Sequence, residues 1–229
     1  MAAKQSKSNV LQFPNLRDEV YDQRPQPPRE MCSSALSGQL PPFAPDDDFE
    51  LWARRSLLDE GAPLYNSDHS HLADAKLAFC WTSEAMAVKG RGIAGLTERP
   101  QERAVWSSAR AVQQLKEWYG CIPDFLLTFY APVCALLDNA SFLALVEHEL
   151  YHCGQALDEF GCPRFTKDGE VVYTVRGHDV EEFIGVVRRY GAESAAAGVM
   201  ELVEAAQVDA EVDHALIRQT CGICARKVA

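Results

Sequence analysis

The chain has 229 residues, a formal net charge of −11 and a hydrophobic fraction of 47%. This length fits one globular domain with a flanking tail, and such a domain can form its core without disulfide bonds. No apolar run approaches the roughly 18 residues that a membrane-spanning helix needs, and the acidic charge argues against extended contact with nucleic-acid phosphates. The first residues lack the apolar segment of a secretory signal, so the eight cysteines are expected to be cytosolic thiols.

The placement of proline divides the chain into a tail and a domain. Residues 1–45 hold seven of the twelve prolines and are predicted to be mostly disordered, because proline lacks an amide donor and restricts the residue before it. The folded domain is expected over residues 46–219. A short tail, residues 220–229, carries the C-x-x-C pair Cys221 and Cys224. This pair is expected to be a frayed end with free thiols, and zinc binding or redox pairing is the alternative.

Hydrophobic periodicity and turn residues predict an order of elements that mixes helices and strands. The predicted helices cover residues 46–59, 101–119, 140–160, 180–190 and 193–218. The predicted strands cover residues 75–81, 85–89 and 124–130, with a later hairpin formed by 163–166 and 170–175. The turn of that hairpin is Lys167-Asp168-Gly169, since Asp-Gly readily adopts the positive φ angles of a tight turn. Because no regular βαβ alternation occurs, the predicted fold class is α+β.

The third predicted helix carries the chemical motif of the sequence. Residues 148–152 are His-Glu-Leu-Tyr-His, an H-E-x-x-H pattern. Residues four apart lie on one face of a helix, so the imidazoles of His148 and His152 can bind one Zn²⁺ ion. Glu149 follows His148 directly and can reach a metal-bound water without ligating the metal itself. The apolar residues that flank the motif predict that this helix is buried against a sheet.

A catalytic zinc site needs a third protein ligand and one open position. His178 is the preferred candidate, because the predicted hairpin returns the chain towards the helix that carries the motif, and Gly177 gives the backbone freedom to turn. Glu182 is the alternative, since a carboxylate from a downstream helix can also complete such a site. Asp179 is a further neighbour and could orient a histidine ligand through its other ring nitrogen. The spacing leaves His178 and Glu182 both open.

The H-E-x-x-H segment and the segment around His178 together resemble the putative phage metallopeptidase family. The resemblance covers about residues 72–191 and rests on the segments Ala144-Leu-Val-Glu-His-Glu-Leu-Tyr-His-Cys153, Gly177-His-Asp-Val-Glu-Glu-Phe183 and Arg188-Arg-Tyr-Gly191. The segment around His178 is also similar to the third-ligand region of SprT-like proteases. The resemblance implies a minimal zincin-like domain, in which a small mixed or antiparallel sheet packs on the H-E-x-x-H helix and further helices complete the fold.

The implied function is zinc-dependent hydrolysis of peptide bonds, with His148, His152 and either His178 or, as the alternative, Glu182 as ligands and Glu149 as general base. Tyr151 and Tyr190 are candidates for a donor that stabilises the oxyanion. Zn²⁺ is the expected cofactor, and the expected substrate is a protein or peptide in the cytoplasm of a bacterial host. Neither a membrane nor a nucleic acid is an expected partner. The alternative function is a non-catalytic, zinc-stabilised protein-binding module, in which four ligands close the metal site.

Overall fold

A computed structural model describes residues 16–32, 41–88, 91–101, 105–180, 187, 192, 198–213 and 215. In these residues the helices are α1 (Leu16–Asp22), α2 (Asp47–Ala53), α3 (Trp106–Tyr119), α4 (Ala131–Cys134), α5 (Asn139–Tyr151) and α6 (Val199–Ala205). The strands are β1 (Phe43–Pro45), β2 (Leu77–Thr82), β3 (Ala87–Val88), β4 (Arg91–Gly92), β5 (Gly95–Glu98), β6 (Phe125–Tyr130), β7 (Cys153–Gln155) and β8 (Tyr173–Val175). Shorter helical turns cover Arg29–Met31, Arg54–Leu58 and Ser67–Leu72. None of the described helices combines the length and apolar character that a bilayer crossing needs.

The main sheet has four strands in the order β1-β2-β6-β5. Strands β2 and β6 run parallel, with Leu77 opposite Phe125, while β1 and β5 pair antiparallel on the two outer sides. The described chain also has two small antiparallel pairs, β3 with β4 and β7 with β8. The fold is therefore α+β with a small mixed sheet and several helices, which confirms the predicted fold class.

Aromatic side chains form the centre of the core, between the sheet and helices α2 and α5. Phe49 of α2 has no exposed surface, and its ring centroid lies 4.6 Å from Phe79 of β2 and 5.0 Å from Phe129 of β6. Phe142 of α5 lies 5.7 Å from Phe49. Ring pairs at such distances add to the stabilisation that burial alone provides. This packing fixes α5, the helix that carries the H-E-x-x-H motif, on one face of the sheet.

Most predicted elements agree with the structure within a few residues. Strands β2 and β6 coincide closely with the predicted strands over 75–81 and 124–130, and the strand predicted over 85–89 is present as the short β3. Helix α3 ends as predicted at Gly120, which adopts a positive φ of 71°. The predicted hairpin turn is present, with Gly169 at a φ of 84°, but the arm predicted over 163–166 forms only isolated bridges, and the regular part of the second arm, β8, pairs with β7 instead. Local patterns therefore locate most of these elements correctly.

Helix α5 is shorter than the sequence predicts. The prediction of a helix over 140–160 is wrong beyond Tyr151, because residues 153–155 form strand β7, which pairs with β8. The two strands approach closely at Gly154, where a β-carbon would lie 3.0 Å from the β-carbon of Arg176. Backbone pairing with a strand that comes later in the chain therefore ends the helix.

The C-terminal part also differs from the prediction. The sequence predicts a helix over 193–218. In the described part of this range, only α6 is helical, and residues 206–213, which follow it, are not. Residues 206–213 are rich in acidic side chains and almost all exposed, and Val212 alone of them packs against the core, so a helix there would bury little apolar surface and gain little tertiary stabilisation. The helix predicted over 180–190 lies almost wholly outside the described residues, as do Cys221 and Cys224.

The N-terminal segment packs on the domain. Val20 and Met31 are each 4% exposed and belong to the core, and Trp52 donates its indole N–H to the carbonyl of Val20 at 3.1 Å. Residues 16–32, which belong to the predicted tail over 1–45, are therefore in contact with the domain. Prolines prevent regular backbone hydrogen bonding within a segment. The side chains of such a segment can still pack against other elements of the fold. The predicted boundaries of the domain stay predictions.

Arg24 anchors this segment to helices α4 and α5. Its guanidinium donates to the carbonyl oxygens of Cys134 at 2.6 Å and Leu137 at 2.8 Å, and to the side chain of Asn139 at 3.2 Å. It also lies 4.2 Å from the ring centre of Phe142, within the range of a cation–π contact. The carbonyl of Cys134, the last residue of helix α4, also accepts the amide of Leu137 at 3.3 Å, so the guanidinium adds a charged donor where the chain leaves this helix.

Replacing Arg24 with methionine is expected to lower the free energy of unfolding by about 2–3 kcal/mol, because buried carbonyl groups lose a charged donor. Urea unfolding followed by tryptophan fluorescence measures the change. Arg55→Met is the matched control, since Arg55 is exposed, and its expected effect is below about 0.5 kcal/mol. Equal stability of the two variants would show that Arg24 does not anchor the segment.

Candidate metal centre

Helix α5 and the residue that caps its C-terminal end place two histidines next to each other on one face. The ring centroids of His148 and His152 are 5.0 Å apart, as expected for residues that are four positions apart on a helix. Phe142, Leu145 and Leu150 of the same helix have no exposed surface and pack in the core. The core therefore fixes the helix and, with it, the positions of the two imidazoles.

The β7–β8 pair brings a third histidine to the same place. Strand β7 follows α5 directly and pairs antiparallel with β8. The backbone amide of Arg176 donates to the carbonyl of His152 at 2.9 Å, so the chain beyond β8 stays beside the end of α5. His178 comes two residues later, and its ring centroid is 5.4 Å from that of His148 and 5.1 Å from that of His152.

Each of the three histidines can offer one ring nitrogen, and these nitrogens lie within 4.8 Å of one another. Three nitrogens bound at about 2.1 Å to one tetrahedral ion would be about 3.4 Å apart. Small side-chain rotations would close this difference, and His178 is exposed and has room to move. Three imidazoles suit zinc and other transition metals, and they leave a position open for water or substrate.

A hydrogen bond determines which nitrogen of His152 is available to a metal. Its Nδ1 atom lies 2.7 Å from the carbonyl oxygen of Arg176. Because a carbonyl oxygen only accepts hydrogen bonds, Nδ1 carries the proton and Nε2 keeps the lone pair that can bind a metal. The residue is 2% exposed, so its surroundings hold the ring in this orientation. A backbone acceptor behind a histidine ring is typical of metal ligands.

Glu149 lies against strand β5, on the side of α5 next to the histidines. It has no exposed surface, and the hydroxyl of Thr97 donates to its carboxylate oxygen Oε2 at 2.8 Å. Gly95 is in contact with the same carboxylate, since a β-carbon at this glycine would lie 2.6 Å from Oε1. Consecutive residues of a helix point about 100° apart, so Glu149 occupies the face adjacent to that of His148. Sequence reasoning missed Thr97 and Gly95, and no local pattern marks them as neighbours of Glu149.

The three histidines line an open cleft of about 320 Å³, together with Asp68, Tyr151, Arg176, Gly177 and Asp179. The hydroxyl of Tyr151 donates to Asp68 at 3.0 Å and accepts a hydrogen bond from Asn66 at 2.9 Å. Burial is the main cause that raises the pKa of Tyr151, with a further contribution from Asp68, so the hydroxyl stays protonated near neutral pH. Arg176 forms an ion pair with Asp179. The cleft therefore offers charged groups of both signs beside the histidines.

The structure brings His148, His152 and His178 together, and it places Glu149 on α5 with His148, while His152 is the residue that caps the end of this helix. Glu182, the alternative third ligand, lies outside the described residues. The roles of these residues as metal ligands and general base stay predictions, whereas their positions are observed.

The fold and site define a candidate metalloprotein of the α+β class, with three histidines that could bind one metal ion. The sequence matches the putative phage metallopeptidase family over residues 51–207, which is more than half of the chain. The chain therefore belongs to this family, and its membership points to a metal-dependent peptidase that acts on proteins or peptides. Comparisons with curated proteins and with solved structures found no match.

Proposed function

We propose that this protein is a zinc-dependent metallopeptidase of the zincin type, with His148, His152 and His178 as zinc ligands and Glu149 as general base. The observation that carries the proposal is the convergence of three imidazoles from two separate segments, α5 and the chain after β8. The family assignment supports peptidase activity independently. The cytoplasm of a bacterial host stays the predicted place of action.

Zinc is the proposed metal because the donor set consists of imidazoles. Magnesium and calcium prefer oxygen ligands, whereas three histidines with one open position are a known catalytic zinc arrangement. Bound zinc would supply a water of lowered pKa and a positive charge for the developing oxyanion. His178 is the preferred third ligand because its ring lies beside the other two, and Glu182 stays the alternative.

In this proposal the protein itself orients the ligands and moves the proton. The carbonyl of Arg176 holds His152 with Nε2 available. Glu149 takes a proton from the attacking water and passes it to the leaving amine. A buried carboxylate is costly to keep ionised, and a cation bound by the neighbouring imidazoles would offset that cost.

The zincin-like arrangement and the similarity to SprT-like proteases are part of the same proposal. The position of strand β5 supports the zincin-like arrangement, because β5 lies at the edge of the described sheet and its residues Gly95 and Thr97 contact Glu149. An edge strand offers unpaired amide and carbonyl groups, so a substrate peptide could add to β5 as a further strand. This placement would bring the peptide backbone next to Glu149.

A non-catalytic, zinc-stabilised binding module is the second candidate, and one observation favours it. Glu149 has no exposed surface, whereas a general base must reach the attacking water. Asp68 and Asp179 line the same cleft and could supply a fourth ligand that closes the site. The two candidates differ in one measurable property, which is peptide hydrolysis.

Metal analysis of the purified protein, combined with a cleavage screen on peptides from a bacterial proteome, tests the proposal. We expect about one zinc ion per chain and cleavage that stops with a chelator and returns when zinc is added. We also expect His178→Ala to lose zinc and Glu182→Ala to keep it. A protein that binds zinc but cleaves no peptide would favour the binding module, and a protein without zinc affinity would exclude both candidates.

A further inference from the structure

We propose that Thr97 is a positioning residue for Glu149, and that Gly95 provides the space that this positioning requires. The inference rests on the proposed function, in which Glu149 is the general base. It assigns a role in the reaction to strand β5, which lies outside the H-E-x-x-H motif and carries none of the proposed metal ligands.

Two oxygen acceptors of Glu149 lie within hydrogen-bond distance of the Thr97 hydroxyl, and the buried thiol of Cys153 is a further neighbour. Oγ1 lies 2.8 Å from the carboxylate oxygen Oε2 and 2.9 Å from the backbone carbonyl oxygen. Thr97 is 2% exposed and Glu149 has no exposed surface, so bulk water does not compete for these bonds. A hydroxyl has one proton to donate, and donation to an ionised carboxylate gives the stronger bond. This bond fixes the carboxylate relative to β5.

Gly95 restricts the other side of the same carboxylate. It lies two residues before Thr97, so both positions face the same side of the strand. A β-carbon at Gly95 would lie 2.6 Å from Oε1 and 2.9 Å from both Cδ and Cγ of Glu149. An alanine would therefore force either the strand or the carboxylate to move. One carboxylate oxygen is bonded by Thr97, and the other lies where only a glycine leaves room for it.

Strand β5 is itself held by the core. It pairs antiparallel with β6, with Gly95 opposite Phe129 and Thr97 opposite Leu127. Both Phe129 and Leu127 have no exposed surface. A general base works efficiently only in a fixed geometry to the proton that it takes, and a misplacement of about 1 Å can cost about 100-fold in rate. The core therefore fixes the base through β5.

The test compares Thr97→Val, which keeps the shape and removes the hydroxyl, with Thr97→Ser, which keeps the hydroxyl. In the zinc-loaded full-length protein we expect Thr97→Val to lower kcat by about 10- to 100-fold, with KM and zinc occupancy unchanged. Thr97→Ser is expected to retain most of the wild-type kcat. Thr128→Val is the matched control with expected wild-type kinetics, because Thr128 is 6% exposed and points to the other face of β6 from Leu127. A wild-type kcat in Thr97→Val, or an equal loss in Thr97→Ser, would overturn the proposal.

A double-mutant cycle keeps the test independent of activity. Urea unfolding is measured for the zinc-loaded wild type, Thr97→Val, Glu149→Ala and the double variant. We expect Thr97→Val to shift the unfolding midpoint less in the Glu149→Ala background than in the wild type. In that background the hydrogen bond between Thr97 and the carboxylate is already lost. Additive shifts would overturn the inference. Coupling in a protein that cleaves no peptide would contradict the proposed function while supporting the contact between the two side chains.

Discussion

Replacing His152 with alanine is expected to abolish both zinc binding and peptide hydrolysis. His152 offers Nε2 to the proposed centre, and the carbonyl of Arg176 fixes its ring. Loss of such a partner behind a histidine ligand typically costs about 10- to 100-fold in metal affinity, so loss of the ligand itself is expected to cost more than about 100-fold. Elemental analysis after dialysis gives the zinc content per chain, and chromatography of a cleaved peptide gives the hydrolysis rate.

His71→Ala is the matched control for this variant. His71 also contacts a backbone carbonyl, since its Nε2 lies 2.7 Å from the oxygen of Cys153, but it does not belong to the histidine trio. Its loss is expected to leave the zinc content unchanged. Full zinc occupancy in His152→Ala would exclude the proposed centre. Loss of zinc from both variants would indicate that the position of β7, and not the His152 ring alone, maintains the site.

The histidine pair could be predicted from the sequence because it depends on a local spacing. Residues four apart lie together on any helix, so the proximity of His148 and His152 needs no tertiary information. The proximity of His178 requires a chain reversal as well, and Asp168-Gly169 predicts that reversal through its own backbone preference. The end of α5 could not be predicted, because β7 forms only by pairing with β8.

Contacts between distant parts of the chain could not be predicted. Thr97 and Glu149 are 52 positions apart, and no pattern near either residue identifies the other. The sequence shows Gly95 only as one of several glycines in a turn-rich stretch, although its role in the structure is close approach to a carboxylate. Arg24 donates to the carbonyl of Cys134, 110 positions away. Because this partner is so distant, the sequence around Arg24 shows only its prolines, which predict disorder. Local patterns report backbone preference and carry no information about such partners.

Glu149→Gln is expected to keep the metal and lose turnover. The amide has nearly the same shape as the carboxylate, and its oxygen can still accept the hydrogen bond from Thr97, so the packing against β5 is preserved. An amide does not take up a proton near neutral pH, and loss of a general base typically costs about 10²- to 10⁴-fold in kcat. The zinc content is expected to equal that of the wild type, which separates this variant from His152→Ala.

Glu147→Gln is the matched control for the loss of a carboxylate from α5. Glu147 lies two residues earlier on the same helix and accepts a hydrogen bond from Asn66 at 2.9 Å, so its replacement is expected to leave kcat near the wild-type value. Continued hydrolysis by zinc-replete Glu149→Gln would assign the proton transfer to another group of the cleft. If zinc is bound but neither the wild type nor the variant cleaves any peptide, Glu149 is a buried packing residue, and the zinc-stabilised binding module is the better explanation of the three histidines.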